Sequence, residues 1–165
     1  MKVLGIDPGI ANTGFGIVER VGARTVVLDA GVVTTDKTMP LERRLAVLHD
    51  DIHGLVEEHS VDVLAIEELY FGQNASSAMA VGQARGVVLA IAGRRGIEVG
   101  SYTPQQIKQA VCGSGRAPKE QVIKMVFTTL AMESTLLPDH AADALGAALC
   151  HINHSPLRAV LGGAA

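Results

Sequence analysis

The stretch Lys2-Val3-Leu4-Gly5-Ile6-Asp7, stopped by Pro8-Gly9, decides how the rest of the chain is read. Its apolar run reads as a buried strand, and Pro-Gly is a turn signal that ends it. Asp7 then sits where a sheet hands over to a loop. A carboxylate there can face solvent, a metal or a phosphate while the sheet fixes its backbone. Three later residues, Glu67, His140 and Asp143, are candidates to meet it.

Working outward, Gly14–Val18 and Val26–Thr34 read as two more strands joined through the short turn Val21-Gly22-Ala23-Arg24, which predicts an antiparallel meander. Pro40 opens a helix whose Leu41, Leu45, Leu48, Ile52 and Leu55 form one apolar stripe. Val61-Asp62-Val63-Leu64-Ala65-Ile66 is apolar enough for a central strand covered on both faces, and it runs into Glu67-Glu68. A strand-helix-strand order implies a crossover, so this strand should lie parallel to the first, bringing Glu67 beside Asp7. Residues 74–95 predict a long helix apolar nearly all round, which in so short a chain suggests a partner subunit as its second cover. A short fifth strand is expected over 97–100. Pro104 and Pro118 open two further helices, and a last one should run from about Asp139, acting as a cap, to about His154. Within it His140 and Asp143 share a face. Residues 155–165 read as a flexible tail behind a single domain spanning 1–154.

Composition sets limits. With 165 residues and 48% hydrophobic content, an α/β protein of one domain is expected. The longest apolar run is far short of a membrane span, and the direct passage from Met1-Lys2 into a strand suggests no signal peptide. Cys112 and Cys150 fit no metal or redox spacing and suggest a reducing cytosol. The net charge of −3 alone argues against nucleic acid, but its distribution does not. Acids outnumber bases two to one through residue 68, whereas residues 69–138 carry an excess of Lys and Arg. A positive middle beside an acidic cluster suits an enzyme acting on a polyanion, although ordinary surface scatter gives the same count.

Asp7, Glu67 and Asp143 would gather three carboxylates at one sheet edge. Uncompensated, they repel and their pKa values rise. A hard divalent cation removes the repulsion, and two such ions about 3.5–4 Å apart can activate a water and stabilise the leaving oxygen. The chemistry implied is phosphodiester hydrolysis; from spacing alone, a structural role for these acids stands beside it. Other motifs carry less. His49 and His53 have metal-binding spacing but no third ligand nearby, and Cys150-His151-Ile152-Asn153-His154 is a helix end without a distant partner. Gly113-Ser114-Gly115-Arg116-Ala117-Pro118-Lys119 lacks the Gly-Lys-Ser/Thr of a Walker loop. It reads either as a mobile basic loop near a phosphate or as a plain interhelical turn.

The chain resembles the RuvC family of crossover-junction endodeoxyribonucleases, bacterial enzymes with a ribonuclease H-like fold. The residues that carry the resemblance are Gly5-Ile6-Asp7-Pro8-Gly9, Ala65-Ile66-Glu67, Asn74-Ala75-x-Ser77-Ala78 with Gly82-Gln83-Ala84-Arg85-Gly86, Lys108-Gln109, Lys119, and Ala141-Ala142-Asp143-Ala144-Leu145. They run in the family's order from residue 3 to about 154. The resemblance implies an α/β fold with a five-stranded mixed sheet flanked by helices. It implies Mg²⁺ or Mn²⁺ as cofactor, two ions per site, with Asp7, Glu67 and Asp143 as catalytic ligands. His140 falls where many members have Asp and some His, so it either ligates or orients the attacking water. For DNA, the resemblance points to Tyr70, which matches a junction-wedging aromatic, and to Lys108 and Lys119; Arg85, within the matched motif, and Arg116, on the basic loop, are further DNA-binding candidates. It further implies a homodimer through helix 74–95 that nicks a four-way junction symmetrically, RuvA and RuvB helicase partners, no membrane, and a bacterial cytoplasmic setting. Competing readings are a junction-binding module without chemistry, an actin-like nucleotide-binding protein, for which one lobe is too little, and a ribonuclease H-like nuclease acting on RNA.

Overall fold

In the computed structural model the opening apolar run is a central strand. The structure describes residues 1–68, 75–132 and 137–162, with side chains except at 75–77 and from 155 onward. β1 (Lys2–Asp7) pairs antiparallel with β2 (Asn12–Val21), and β2 with β3 (Arg24–Thr34). Gly22 turns that hairpin at φ +60°, a region open to glycine at no steric cost. β4 (Val63–Glu67) lies parallel to β1, in register from Val3↔Val63 to Ile6↔Ile66. β5 (Glu98–Tyr102) lies parallel to β4, giving the order β3-β2-β1-β4-β5. The expected mixed sheet is present.

Two helical layers cover it. Leu4, Ile6, Leu64 and Ile66 pack against α1 (Leu41–His59) and α2 (Ala75–Arg95). Val3, Val63 and Ala65 point the other way, toward α3 (Pro104–Cys112), α4 (Lys119–Thr129) and α5 (Asp139–Gly162). Side chains alternate across a strand, so Asp7 shares its face with Val3, and Glu67 shares its face with Val63 and Ala65. Both acids therefore belong to the face that α5 covers.

Several boundaries differ from the sequence reading. In α1, Leu41 is exposed and Val56 joins Leu48 and Ile52 in the core. β5 begins at Glu98 because Gly96 closes α2 at φ +67° and the Ile97 N–H still donates to the Ala92 carbonyl, which ties Ile97 to the helix exit. α5 continues past His154 to Gly162. Leu157-Arg158-Ala159-Val160-Leu161 are mostly good helix formers, and Pro156 forfeits one backbone donor without ending the helix. Asp139 is the first residue of α5 rather than a cap preceding it. Gly113–Lys119 is a closed turn: the Gln109 side chain donates to the Gly113 carbonyl and accepts from the Gly115 N–H. No helix among the described residues is long and apolar enough to cross a membrane.

Candidate active site

Asp7 ends β1 and Glu67 ends β4, its parallel neighbour, so both acids leave the sheet at the same edge and on the same face. What brings α5 onto them is missing volume. A Cβ at Gly5 would overlap the Ala144 carbonyl, and one at Gly14 would overlap the carbonyl of His140. Glycine at these positions lets the start of α5 lie directly on β1 and β2. His140 Nδ1 then comes within 2.8 Å of Asp7 Oδ2. Asp143, one turn on, receives a 3.0 Å hydrogen bond from Lys119 Nζ, and the same ammonium lies 3.6 Å from Asp139. Lys119 is the first residue of α4, so two strand ends and two helices on one face of the sheet converge at its edge.

The electrostatics are those of an acidic site short of positive charge. Burial, then the charges of Asp7 and Asp143, push Glu67 up to about 7, with Lys119 and Lys108 opposing. Burial also raises Asp143, against the hydrogen bond and charge of Lys119. Lys119 is raised in turn, chiefly by its bond to Asp143. Beside these groups is a cavity of about 240 Å³ lined by Glu67, Lys108, Lys119 and Asp143 and walled by Ile107 and Val122.

Among the described residues no three His, Cys, Asp or Glu side chains close on a common point, because Asp143 is turned onto Lys119 and Asp7 onto His140. The donor set nevertheless fits a hard divalent cation. It consists of carboxylate oxygens, of which Glu67 is raised first by burial and then by the charges of Asp7 and Asp143, and a cation offsets both by favouring the ionised form.

A pH dependence follows. Between pH 4.5, the ordinary value, and about 7, the folded protein holds a proton on Glu67 that the unfolded chain has lost. Stability without added metal should therefore fall as pH rises through this window and level off above it. Mg²⁺ or Mn²⁺ should raise the melting temperature by a few degrees at about pH 8 and far less at about pH 5, since proton and cation compete for the same oxygens. Thermal melts across pH, with and without metal, check both statements.

The remaining candidates divide. Lys108 lines the cavity and Arg116 is exposed on the turn before α4. Tyr70 lies outside the described residues, as does Asn74. Arg85 is half-buried under β4, where its guanidinium donates to the Glu67 carbonyl at 2.6 Å and to Ser101 Oγ at 2.9 Å. These two donors are engaged within the fold, on the Glu67 carbonyl and the Ser101 hydroxyl. The sequence reading also missed Ser101 and the pairing of Asp139 with Lys119; neither motif nor periodicity marks them. His49 and His53 stack at 5.7 Å with His49 Nδ1 3.0 Å from Asp50, on α1, which packs on the opposite face of the sheet from these acids. Buried His151 is hydrogen-bonded to Tyr102 Oη at 2.7 Å, and burial pushes the Cys150 thiol up to about 12, so this segment, which lies within α5 and not at its end, works in packing.

A mixed sheet with acids at the ends of two central parallel strands, met by the first turn of a last helix, defines the ribonuclease H-like class. Within that class, the family described as crossover junction endodeoxyribonuclease RuvC matches residues 3–151, and the chain belongs to that family. A RuvC from Thermomicrobium roseum is 49% identical over 155 residues, covering 94% of each chain, and one from Moorella thermoacetica is 46% identical over 158 residues, covering 96% of this chain and 95% of its own. The Thermus thermophilus RuvC structure superposes with a TM-score of 0.87 at 37% identity, covering 95% of this chain and 96% of the other. The same protein in complex with a Holliday junction substrate gives 0.86 at 34% identity and the same coverage.

Proposed function

We propose that the protein is a metal-dependent endonuclease that resolves four-way DNA junctions by paired, symmetric nicks in recombination and repair. The single observation that carries this is the gathering of Asp7, Glu67, His140 and Asp143 on one sheet face beside Lys119 and Lys108. The junction as substrate is supported by membership of the family and by the likeness to a junction-bound relative.

Asp7, Glu67 and Asp143, with His140 beside them, would hold Mg²⁺ or Mn²⁺, two ions in our reading. Bound there, the metal supplies a water acidified for attack and neutralises charge at the phosphorus. The chain's own groups do the rest. His140 Nδ1 orients the Asp7 carboxylate. Lys119 and Lys108 bring positive charge to the cavity where a phosphate oxygen would sit, and Lys119 can exchange Asp143 for that oxygen. Arg116, exposed nearby, fits a backbone contact to DNA. Tyr70 is assigned the base-stacking role, worth about 1–3 kcal/mol, and Tyr70→Ala is expected to keep metal binding while losing junction cleavage.

A homodimer through α2 is part of the proposal. Its outer side leaves Met79 at 67% and Leu89 at 37% exposure, with Gly86, Ala90 and Gly93 exposed along the same stripe, a surface on which a second helix can approach closely. Cooperation with the RuvA and RuvB helicase in a bacterial cytoplasm completes the reading.

His140→Asp should retain cleavage and shift metal preference toward Mg²⁺, because carboxylate is a harder ligand than imidazole. An unchanged ratio of Mn²⁺ to Mg²⁺ rates would remove His140 from the ligand set. The test of the function itself is to incubate the protein with a synthetic four-way junction, a linear duplex and a structured RNA, with each metal, and map the nicks. Symmetric nicks confined to the junction are expected. Junction binding with no nicks in either metal, or cleavage of RNA alone, refutes the proposal.

A further inference from the structure

Arg85 lies on α2, behind the strand that carries Glu67, yet its two hydrogen bonds among the described residues reach across to the sheet. One goes to the main-chain carbonyl of Glu67 at 2.6 Å, the other to Ser101 Oγ on β5 at 2.9 Å. Pairing of β4 with β1 stops at Ile6↔Ile66, one residue short of Glu67. The next residue, Glu68, is held on the other side by its N–H, which donates to the Tyr102 carbonyl at 2.8 Å. The backbone that carries the Glu67 carboxylate would thus be fixed from one neighbour only, were it not for the guanidinium. A part-buried carbonyl gains from a donor, and a planar fork that meets a carbonyl and a hydroxyl together defines a position as a single donor cannot.

We propose that Arg85 is a positioning residue for the metal site: it clamps the end of β4 to β5 so that Glu67 presents its carboxylate toward Asp7 and Asp143. This rests on the reading of Glu67 as a metal ligand. Arg85 touches neither cation nor substrate. It acts as the outer partners of metal ligands do, by fixing the orientation of the ligand it holds. Three elements meet in the contact, since α2 supplies the donor, β4 the carbonyl and β5 the hydroxyl.

The test is Mn²⁺ binding to the full-length protein, followed by the paramagnetic resonance signal of the free ion, in Arg85→Ala, Arg85→Lys, Ser101→Ala and Glu67→Gln. Arg85→Ala is expected to weaken Mn²⁺ binding about tenfold, with the rate of junction nicking partly restored by excess metal. Arg85→Lys, which can reach one acceptor, should fall between Ala and the parent, and Ser101→Ala should give a smaller shift in the same direction. Junction affinity measured in chelator should keep its dependence on salt, whereas loss of a phosphate contact would lower that slope by about one. Unchanged Mn²⁺ affinity in Arg85→Ala while Glu67→Gln loses it overturns the clamp alone. Unchanged affinity in both overturns the assignment of Glu67 as well. A lowered salt slope with unchanged Mn²⁺ affinity makes Arg85 a DNA contact and likewise overturns the clamp. If Arg85→Ala melts below the assay temperature, Arg85→Lys and Ser101→Ala decide by the same criteria.

Discussion

Glu67→Gln is expected to abolish nicking of a four-way junction while leaving the protein folded and still able to bind the junction. The substitution keeps the shape of the side chain and removes its charge. Loss of a metal ligand forfeits several kcal/mol of transition-state charge stabilisation, which at 1.36 kcal/mol per decade is at least about a thousandfold in rate. Stability should move the other way. Glu67 is pushed up to about 7 by burial and by Asp7 and Asp143, so at about pH 8 its ionised form opposes folding when metal is withheld. Gln removes that opposition, and the variant should melt a few degrees above the parent in chelator and show a flatter dependence on pH. A less active yet more stable protein is the signature of a residue kept for chemistry. Single-turnover cleavage of a labelled junction, set beside melts in chelator, reads both effects. A rate within tenfold of the parent would refute the assignment of Glu67, and a lower melting temperature would refute the electrostatic account of it.

The parts of the site that were legible in the sequence are those set by short-range rules. Asp7 is marked by an apolar run and the Pro-Gly that stops it, and Glu67 by a second run that a crossover must lay parallel to the first. The three-residue step between His140 and Asp143 puts them on one helical face whatever the tertiary structure. The parity of the strands was equally available: Asp7 lies an even number of residues from Val3, and Glu67 from Val63, and this fixes the face they share. What could not be read is which long side chain meets which acid. Lys119 lies 24 positions from Asp143, and their contact depends on how α4 packs beside α5. Arg85 was recognised as part of a motif, but a motif does not say whether a cation points at solvent or back at its own sheet. The direction is set by the burial of α2, in which Ala84 and Val88 face the core and carry Arg85 partly under with them. Where a motif records only that a residue is present, the surrounding packing decides what it touches.

Gly5→Ala is expected to be among the most damaging single-methyl changes on the sheet. Gly5 is flanked by Leu4 and Ile6, both fully buried, and sits at the centre of β1 directly beneath α5. A Cβ there would overlap the Ala144 carbonyl and approach the Ala148 nitrogen at 2.9 Å, so it meets main chain that cannot rotate away. Relief requires α5 as a whole to lift, or β1 to drop into the Leu4 and Ile6 layer on the opposite face. Overpacking of this kind costs about 3 kcal/mol, or roughly 10 °C in a protein of this size. The functional consequence is separable from the loss of stability. α5 carries His140 and Asp143 in its first two turns, and lifting it would lengthen the 2.8 Å contact from His140 to Asp7 on β1. Gly5→Ala should therefore bind Mn²⁺ more weakly than the parent even well below its own melting temperature, whereas Leu48→Ala, a core truncation on the far face, should lower stability by about 2–5 kcal/mol and leave metal affinity alone. Thermal melts and Mn²⁺ titration of the two variants side by side make the comparison. Equal Mn²⁺ affinity in both would mean that α5 can shift without disturbing the acids, and that the close approach over Gly5 serves packing only.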